Sequence, residues 1–162
     1  MRPTPDALRE QAFAVLGPGL GGAAFLDLFA GTGVNAIEAL SRGASRAVLV
    51  ERVAAVAALA RRNLAALAVP EERWELIVRE ARTALSVLAG RGARFDLGWC
   101  DPPFASWSDG TSALAFARET GVLAGGAEVV LETPPKAEIA IAGFAVVRAL
   151  RGAVLLRVEA GP

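Results

Sequence analysis

The sequence predicts an α/β fold with a mostly parallel sheet and helices on both faces. Short apolar runs typical of buried strands alternate with longer helix-like stretches between residues 24 and 131. This alternation is typical of a parallel sheet covered by helices. Two more apolar runs, residues 144–150 and 153–159, are separated only by Arg151 and Gly152. So short a connection predicts an antiparallel hairpin, because a parallel pair needs a crossover of about a dozen residues.

The individual elements follow from start, stop and periodicity signals. Thr4 as N-cap, Pro5 at the first helical position and Asp6 in the first turn predict a helix start. Gly17-Pro18 is expected to end this helix. The strands before the hairpin are predicted at residues 24–29, 47–50, 74–78, 95–100 and 127–131. The helices between them are predicted at residues 33–42, 53–67, 81–89 and 110–120.

These elements make up a single domain over residues 1–162, with an N-terminal helix within residues 1–20 packed on it. Five strands alternating with helices and a final antiparallel hairpin give a seven-stranded sheet. This order is expected of the Rossmann-like methyltransferase fold, whereas a plain dinucleotide-binding fold keeps its last strands parallel.

Composition excludes several kinds of site. The 162 residues contain no run of about 18 apolar residues free of charge, Gly or Pro, so no membrane span is expected. The chain has no His and no Tyr, which removes His-based triads and Tyr general acids, and no metal site is expected. Cys100 is the only cysteine, so no internal disulfide can form. Without a signal peptide at the N-terminus, a reducing, cytoplasmic compartment is expected.

The distribution of charge limits where the chain could contact a nucleic acid. Seventeen basic residues balance seventeen acidic ones, so any nucleic-acid contact must come from a local patch. Arginine supplies nearly all of the positive charge, and its guanidinium group is a planar fork for phosphate. The arginines that could include such contacts, or else be solvated surface charges, are Arg42, Arg46, Arg61, Arg62, Arg79, Arg82, Arg91 and Arg94.

Residues 27–33, here called the glycine loop, end the first strand and open a helix. Gly31 and Gly33 allow a tight turn and let a ligand approach the backbone, and the helix N-terminus offers free N–H groups. A glycine-containing turn used for packing alone is the alternative. The spacing of Gly31, Gly33 and Ala36 also fits a dinucleotide fingerprint.

Asp27 argues against a dinucleotide. Its charge would repel a pyrophosphate, whereas it would attract the ammonium and sulfonium groups of S-adenosylmethionine (SAM). Glu51 ends the second strand and can accept hydrogen bonds from both ribose hydroxyls. Because NAD and SAM both carry such a ribose, Glu51 does not discriminate between them.

Residues 101–104, here called the proline loop, read Asp101-Pro102-Pro103-Phe104 and follow the fourth strand. The two prolines fix φ and donate no N–H groups, which predicts a stiff loop with the Asp101 carboxylate and the Pro102 carbonyl facing the cleft. Two acceptors suit an exocyclic amine, whose lone pair they can aim at a methyl donor. Phe104 offers a face on which a planar base can stack, worth about 1–3 kcal/mol. A proline-rich turn without function is the alternative.

The topology predicts that the two loops meet. In an open α/β sheet, ligands bind beyond the carboxyl ends of the strands, where the strand order reverses. The first and fourth strands flank that point, so the glycine loop and the proline loop are expected to open onto one crevice. Trp107, just past the proline loop, is a candidate for lining the substrate path or for loop packing.

At these residues the sequence resembles the bacterial small-subunit rRNA guanine-N2 methyltransferases, the RsmD-type family. The matching residues are Arg2-Pro3-Thr4, Arg9-Glu10, Phe13, residues 27–33, residues 38–44, Glu51-Arg52, Asn63-Leu64 and Asp101-Pro102-Pro103-Phe104. The family often has Asp-Ala after the third strand, where the acid meets the adenine amine; Glu80-Ala81 stands there in this chain. It commonly has Leu-Gly where this chain has Val34-Asn35, and a basic segment before Arg-Pro-Thr, where this sequence begins.

The resemblance implies that SAM is the methyl donor and that the N2 amine of a guanine in 16S rRNA is the target. The partner would be 16S rRNA or the small ribosomal subunit. The sequence does not determine the oligomeric state, and a monomer is favoured. The implied catalytic residues are Asp101, Pro102, Pro103 and Phe104. The implied cofactor residues are Asp27, Phe29, Ala30, Gly31, Thr32, Gly33, Glu51, Arg52, Glu80 and Ala81.

Two alternatives stay open. One is the same chemistry on another amine, such as adenine N6 in DNA or a glutamine amide in protein. The glutamine enzymes favour Asn at the position of Asp101. The other is a SAM-binding ribosome-assembly factor without catalysis, which the neutral overall charge supports.

Overall fold

The computed structural model describes residues 5–160, which form five α-helices and seven β-strands. The helices are α1 (Pro5–Leu20), α2 (Val34–Ser41), α3 (Ala54–Ala66), α4 (Ala81–Gly90) and α5 (Trp107–Glu119). The strands are β1 (Ala24–Leu28), β2 (Arg46–Val50), β3 (Trp74–Ile77), β4 (Phe95–Cys100), β5 (Leu123–Glu132), β6 (Phe144–Leu150) and β7 (Ala153–Val158). The predicted fold class is confirmed.

The seven strands form one sheet in the order β3-β2-β1-β4-β5-β7-β6. Strands β1 to β5 pair in parallel, and β7 lies antiparallel between β5 and β6. The order reverses between β1 and β4, where Leu28 pairs with Cys100. The residues that follow these two strands therefore leave the sheet side by side at its carboxyl edge.

Helices cover both faces of the sheet. On one face, α1, α2 and α3 pack around Phe13, Phe25 and Trp99, with the Phe13 ring centroid 5.5 Å from that of Trp99. On the other face, α4 and α5 pack around Leu85 and Leu114. Each of these side chains is at most 1% exposed, and burying one stabilises the fold by about 1.5–3 kcal/mol.

The predicted end of the first helix is wrong. Helix α1 continues through Gly17 and Pro18 to Leu20, because Leu16 and Leu20 are both 1% exposed and hold the last turn on the sheet. Pro18 lies on the exposed side of the helix. The carbonyl of Ala14, which loses its N–H donor to the proline, is on an exposed residue as well, so water can solvate it. The predicted N-cap Thr4 lies outside the described residues.

Two other boundaries differ from the prediction by more than one residue. Strand β5 begins at Leu123 rather than residue 127, and the register of its pairing with β4 shifts between Phe95 and Leu97. This irregularity accommodates Gly125-Gly126, which lie within β5 and before the predicted start of the strand. Helix α5 begins at Trp107 rather than residue 110. Within residues 5–160, no helix is long and apolar enough to cross a membrane.

Candidate active site

The two loops at the carboxyl edge line one cavity of about 380 Å³. Phe29 and Gly31 of the glycine loop line it together with all four residues of the proline loop. The remaining wall comes from the ends of β2 and β3 and the start of α4, namely Val50, Glu51, Arg52, Val53, Arg79 and Ala81. An adjoining cavity of about 390 Å³ shares Phe29, Arg52, Ala81 and Pro103 and adds Glu80. The structure thus brings the two predicted loops together.

The glycine loop has an unusual backbone. Phe29 has a φ of +59°, and Gly31 and Gly33 have φ values of +58° and +83°. A left-handed conformation at a residue other than glycine costs about 1–3 kcal/mol. At Gly33 space is limiting as well, since a Cβ would lie 3.1 Å from Leu49 and 3.3 Å from Ala60. Gly33 therefore lets α2 start close against β2 and α3.

Hydrogen bonds hold this backbone in place. The N–H of Ala30 donates to the Val50 carbonyl at 2.9 Å, and the Asn63 side-chain amide donates to the Thr32 carbonyl at 2.9 Å. Ala30, Thr32 and Gly33 are not among the cavity-lining residues. Ala30, Thr32 and Gly33 set the conformation of the loop, while Phe29 and Gly31 are the loop residues that line the cavity.

Glu51 connects the glycine loop to the end of β2. Its Oε1 accepts the Gly31 N–H at 3.0 Å, and its Oε2 accepts the Val53 N–H at 3.0 Å. A carboxylate has about four acceptor positions, so each oxygen can also accept a hydroxyl group of a ligand. Two backbone donors therefore fix the orientation of this carboxylate at the rim of the cavity.

Every strand of the parallel part of the sheet ends in or is followed by a carboxylate. These residues are Asp27 in β1, Glu51 after β2, Glu80 after β3, Asp101 after β4 and Glu132 at the end of β5. Such a row of negative charge favours a cationic ligand at this edge. Its members do not form a metal site, since within residues 5–160 no group of three His, Cys, Asp or Glu side chains could hold a metal ion.

Sequence reasoning did not single out Glu132. The indole N–H of Trp99 donates to its Oε2 at 2.8 Å, and the indole N–H of Trp107 donates to its backbone carbonyl at 3.3 Å. The sequence signal that could have identified Glu132 is an acidic residue at the end of the fifth strand. Trp107 is thus a packing residue that ties α5 to the end of β5.

Asp27 is completely buried, and neither of its carboxylate oxygens has a hydrogen-bond partner among residues 5–160. Burial raises the pKa of Asp27 well above its usual range. The backbone N–H of Ala36 opposes part of this shift without reaching hydrogen-bonding geometry. The nearby carboxylates of Asp101, Glu132 and Glu51 raise the pKa of Asp27 further. A buried acid without a partner fits a positively charged ligand group, which would supply the missing interaction.

Six of the eight candidate arginines fall into two groups, and Arg62 and Arg94 line neither cavity. Four of the eight candidates have structural partners away from the cavity. These contacts are Arg42 with Glu38, Arg46 over the Phe95 ring, Arg61 over the Trp74 ring, and Arg91 with both oxygens of Glu75. Arg79 lines the first cavity and Arg82 the adjoining one, and Arg52 lines both; the Arg82 guanidinium group also lies 4.2 Å from the centroid of the Phe116 ring. All three are exposed.

The strand order, the antiparallel β7 and the cavity shared by the two loops define the class of Rossmann-like methyltransferases. A solved SAM-dependent methyltransferase from Agrobacterium tumefaciens shares this fold with a TM-score of 0.70 at 18% identity, over 93% of this chain and 61% of that one. A conserved hypothetical protein from Streptococcus pyogenes is more similar, with a TM-score of 0.82 at 34% identity over 94% of this chain and 96% of that one.

The family model described as Conserved hypothetical protein 95 matches residues 1–154, and the chain belongs to this family. The Ribosomal RNA small subunit methyltransferase D of Escherichia coli strain K12 is 40% identical over 104 residues. These matches confirm the resemblance to the RsmD-type family. The alignment covers 64% of this chain and 50% of that protein, so the chain spans about half the length of this relative.

Replacing Asp27 with Asn tests the electrostatic cost of the buried acid. Because the folded-state pKa of Asp27 is raised above the unfolded value of 3.8, the wild-type protein loses stability as the pH rises from about 4 through the folded pKa. Each unit of that difference corresponds to about 1.4 kcal/mol. We therefore expect D27N to be more stable than wild type at pH 7 and the difference to shrink towards pH 4.

Urea unfolding of both proteins across this pH range measures the effect. Glu119→Gln, which removes an exposed carboxylate of α5, is the control and should change stability by less than about 0.5 kcal/mol at every pH. A stability difference between D27N and wild type that does not vary with pH would contradict the account of Asp27.

Proposed function

We propose that this chain is a SAM-dependent methyltransferase that modifies the exocyclic N2 amine of a guanine in 16S rRNA. The observation that carries the proposal is the single cavity shared by the glycine loop and the proline loop. A methyl donor on one loop and an amine on the other would lie side by side there. The name of the Escherichia coli relative supports rRNA as the substrate class.

The residues of the first cavity fit SAM, together with the buried Asp27, which does not itself line the cavity. The orphaned carboxylate of Asp27 suits a cationic group, and Glu51, already oriented by two backbone N–H groups, suits the two ribose hydroxyls. Glu80 and Ala81 border the adjoining cavity and suit the adenine, with Phe29, Arg52 and Pro103 as its walls. When bound, SAM supplies a methyl group activated by a positively charged sulfur.

The proline loop fits the amine. The Asp101 carboxylate and the Pro102 carbonyl would accept the two N–H groups of an exocyclic amine, which turns its lone pair towards the methyl donor. The nitrogen must lose one proton after it gains the methyl group, and the Asp101 carboxylate can hold that proton. Phe104, half-buried at the cavity, would stack on the base, which must leave its helix to reach this depth.

The reaction is tested with labelled SAM and two substrates, unmethylated small subunits and free 16S rRNA, followed by nucleoside analysis. We expect labelled N2-methylguanosine from at least one of them. Labelled N6-methyladenosine or methylglutamine would replace the guanine proposal with one of the alternative amines. Binding of SAM and of the subunit without any methyl transfer would indicate an assembly factor.

Replacing Asp101 with Ala tests the role of the proline loop. The variant should bind SAM within about threefold of wild type, because Asp101 is proposed to hold the amine, and its kcat should fall about 10²–10³-fold. Asp96→Ala is the matched control, because this exposed Asp lies on β4, the strand that leads to Asp101, but at the opposite, amino end of that strand. Calorimetry and single-turnover kinetics give the two quantities, and an unchanged kcat in D101A would remove Asp101 from the mechanism.

Arg79 and Arg82 are the arginines that we propose to contact RNA phosphates. Each Arg→Ala variant should weaken RNA binding and reduce the slope of log K against log salt by about 1. Arg91→Ala is the control, since Arg91 is paired with Glu75 away from the cavity. Fluorescence anisotropy with an rRNA fragment at several salt concentrations measures the slopes. Equal losses in all three variants would show that the effect is not specific to the cavity rim.

A further inference from the structure

We propose that Gly110 is a positioning residue for the proline loop. The bare backbone of Gly110, in the first turn of α5, forms a seat for the ring of Pro102. This seat would hold the Asp101 carboxylate and the Pro102 carbonyl in the geometry that the amine requires. The inference rests on the proposed function for its kinetic consequences, whereas the contact itself can be tested without any methyl transfer.

The distances leave no room for a side chain at this position. A Cβ on Gly110 would lie 2.4 Å from Cγ, 2.7 Å from Cβ and 3.3 Å from Cδ of Pro102. Real Cβ atoms essentially never come within 3.0 Å of such neighbours. Both residues are buried, and a proline ring cannot rotate away as a flexible side chain can. A methyl group at Gly110 must therefore displace the ring, the loop or the helix.

Other helical glycines show that this contact is particular to Gly110. Within residues 5–160, Gly17 in α1 and Gly90 in α4 would place a Cβ with no heavy atom within 4 Å. Glycine destabilises a helix relative to alanine, so its presence in the first turn of α5 needs a reason. Gly110 does not have a left-handed φ. The reason is space for Pro102 rather than backbone conformation.

The seat is itself fixed to the sheet. The Cys100 thiol lies 4.0 Å from the Gly110 carbonyl, to which it donates, and the Trp107 indole donates to the Glu132 carbonyl. From the opposite side, the Asp101 N–H donates to the Leu28 carbonyl at 3.2 Å. The start of the proline loop is thus held between β1 and the first turn of α5.

This arrangement links Gly110 to turnover. To restore a separation of 3.0 Å, the Pro102 ring must move by at least 0.6 Å relative to position 110, the difference between 3.0 Å and 2.4 Å. The Pro102 carbonyl and the Asp101 carboxylate move with it. A misplacement of about 1 Å can reduce the rate about 10²-fold, whereas the SAM site on the glycine loop is not displaced directly.

The first test is Gly110→Ala. We expect its affinity for SAM and its KM for the rRNA substrate to stay within about threefold of wild type, while kcat falls at least about tenfold. Gly17→Ala and Gly90→Ala are the matched controls and should keep the kcat of wild type. An unchanged kcat in G110A, or an equal loss in the control variants, would overturn the proposal.

The second test is a double-mutant cycle between positions 102 and 110, measured by thermal unfolding. Pro102→Gly removes Cβ, Cγ and Cδ, the three ring atoms that a Cβ at position 110 would meet, so G110A should lower the melting temperature less in the P102G background than in wild type. If G110A alone does not fold, the P102G/G110A protein should fold. Additive effects, or a double variant that also does not fold, would overturn the contact. The melting temperature can be measured without any methyl transfer. If the wild-type protein is inactive, the proposed function is overturned, and the double-mutant cycle still decides whether Gly110 and Pro102 are in contact.

Discussion

The parallel pairing of β1 with β4 places the glycine loop and the proline loop next to each other at the carboxyl edge of the sheet. Its register pairs Leu28 with Cys100, the last residues of the two strands. The glycine loop and the proline loop therefore leave the sheet at the same level along the strand direction. Because β2 and β5 lie on opposite sides of this pair, the order reverses here and opens a crevice that helices do not fill. The cavity shared by the two loops follows from this pairing, and the strand-end carboxylates of β2, β3 and β5 lie along the same edge.

The same edge concentrates features that do not favour the folded state. Among residues 5–160, Asp27 is buried without a hydrogen-bond partner, Phe29 has a left-handed backbone, and Gly110 occupies a helix turn. Each of these features costs stability on general grounds. Phe29 lines the cavity, Asp27 precedes Phe29 by two residues, and Gly110 packs against the cavity-lining Pro102. Backbone strain and a buried polar group without a hydrogen bond, found together in one region, are typical of a site where a bound ligand supplies the missing interactions. The two well-packed faces of the sheet offset these costs.

Local patterns and one topological rule were sufficient to predict the fold class, the seven strands and the meeting of the two loops. The features that the sequence did not reveal depend on tertiary contacts. Helix α1 runs past Pro18 because Leu20 is buried on the sheet, which no local stop signal encodes. The seat at Gly110 depends on a close approach to Pro102. In the sequence, a glycine near the start of a helix gives no indication of such a contact. The indole bonds of Trp99 and Trp107 to Glu132 likewise join separate elements.

The most direct test of the central claim is a crystal structure of the protein soaked with S-adenosylhomocysteine, the product that SAM leaves behind. The account requires its sulfur to lie in the 380 Å³ cavity between the glycine loop and the proline loop, with the ribose on Glu51 and the amino group on the side of Asp27. A product bound away from these two loops, or with its sulfur turned away from the Asp101 carboxylate, would contradict the account.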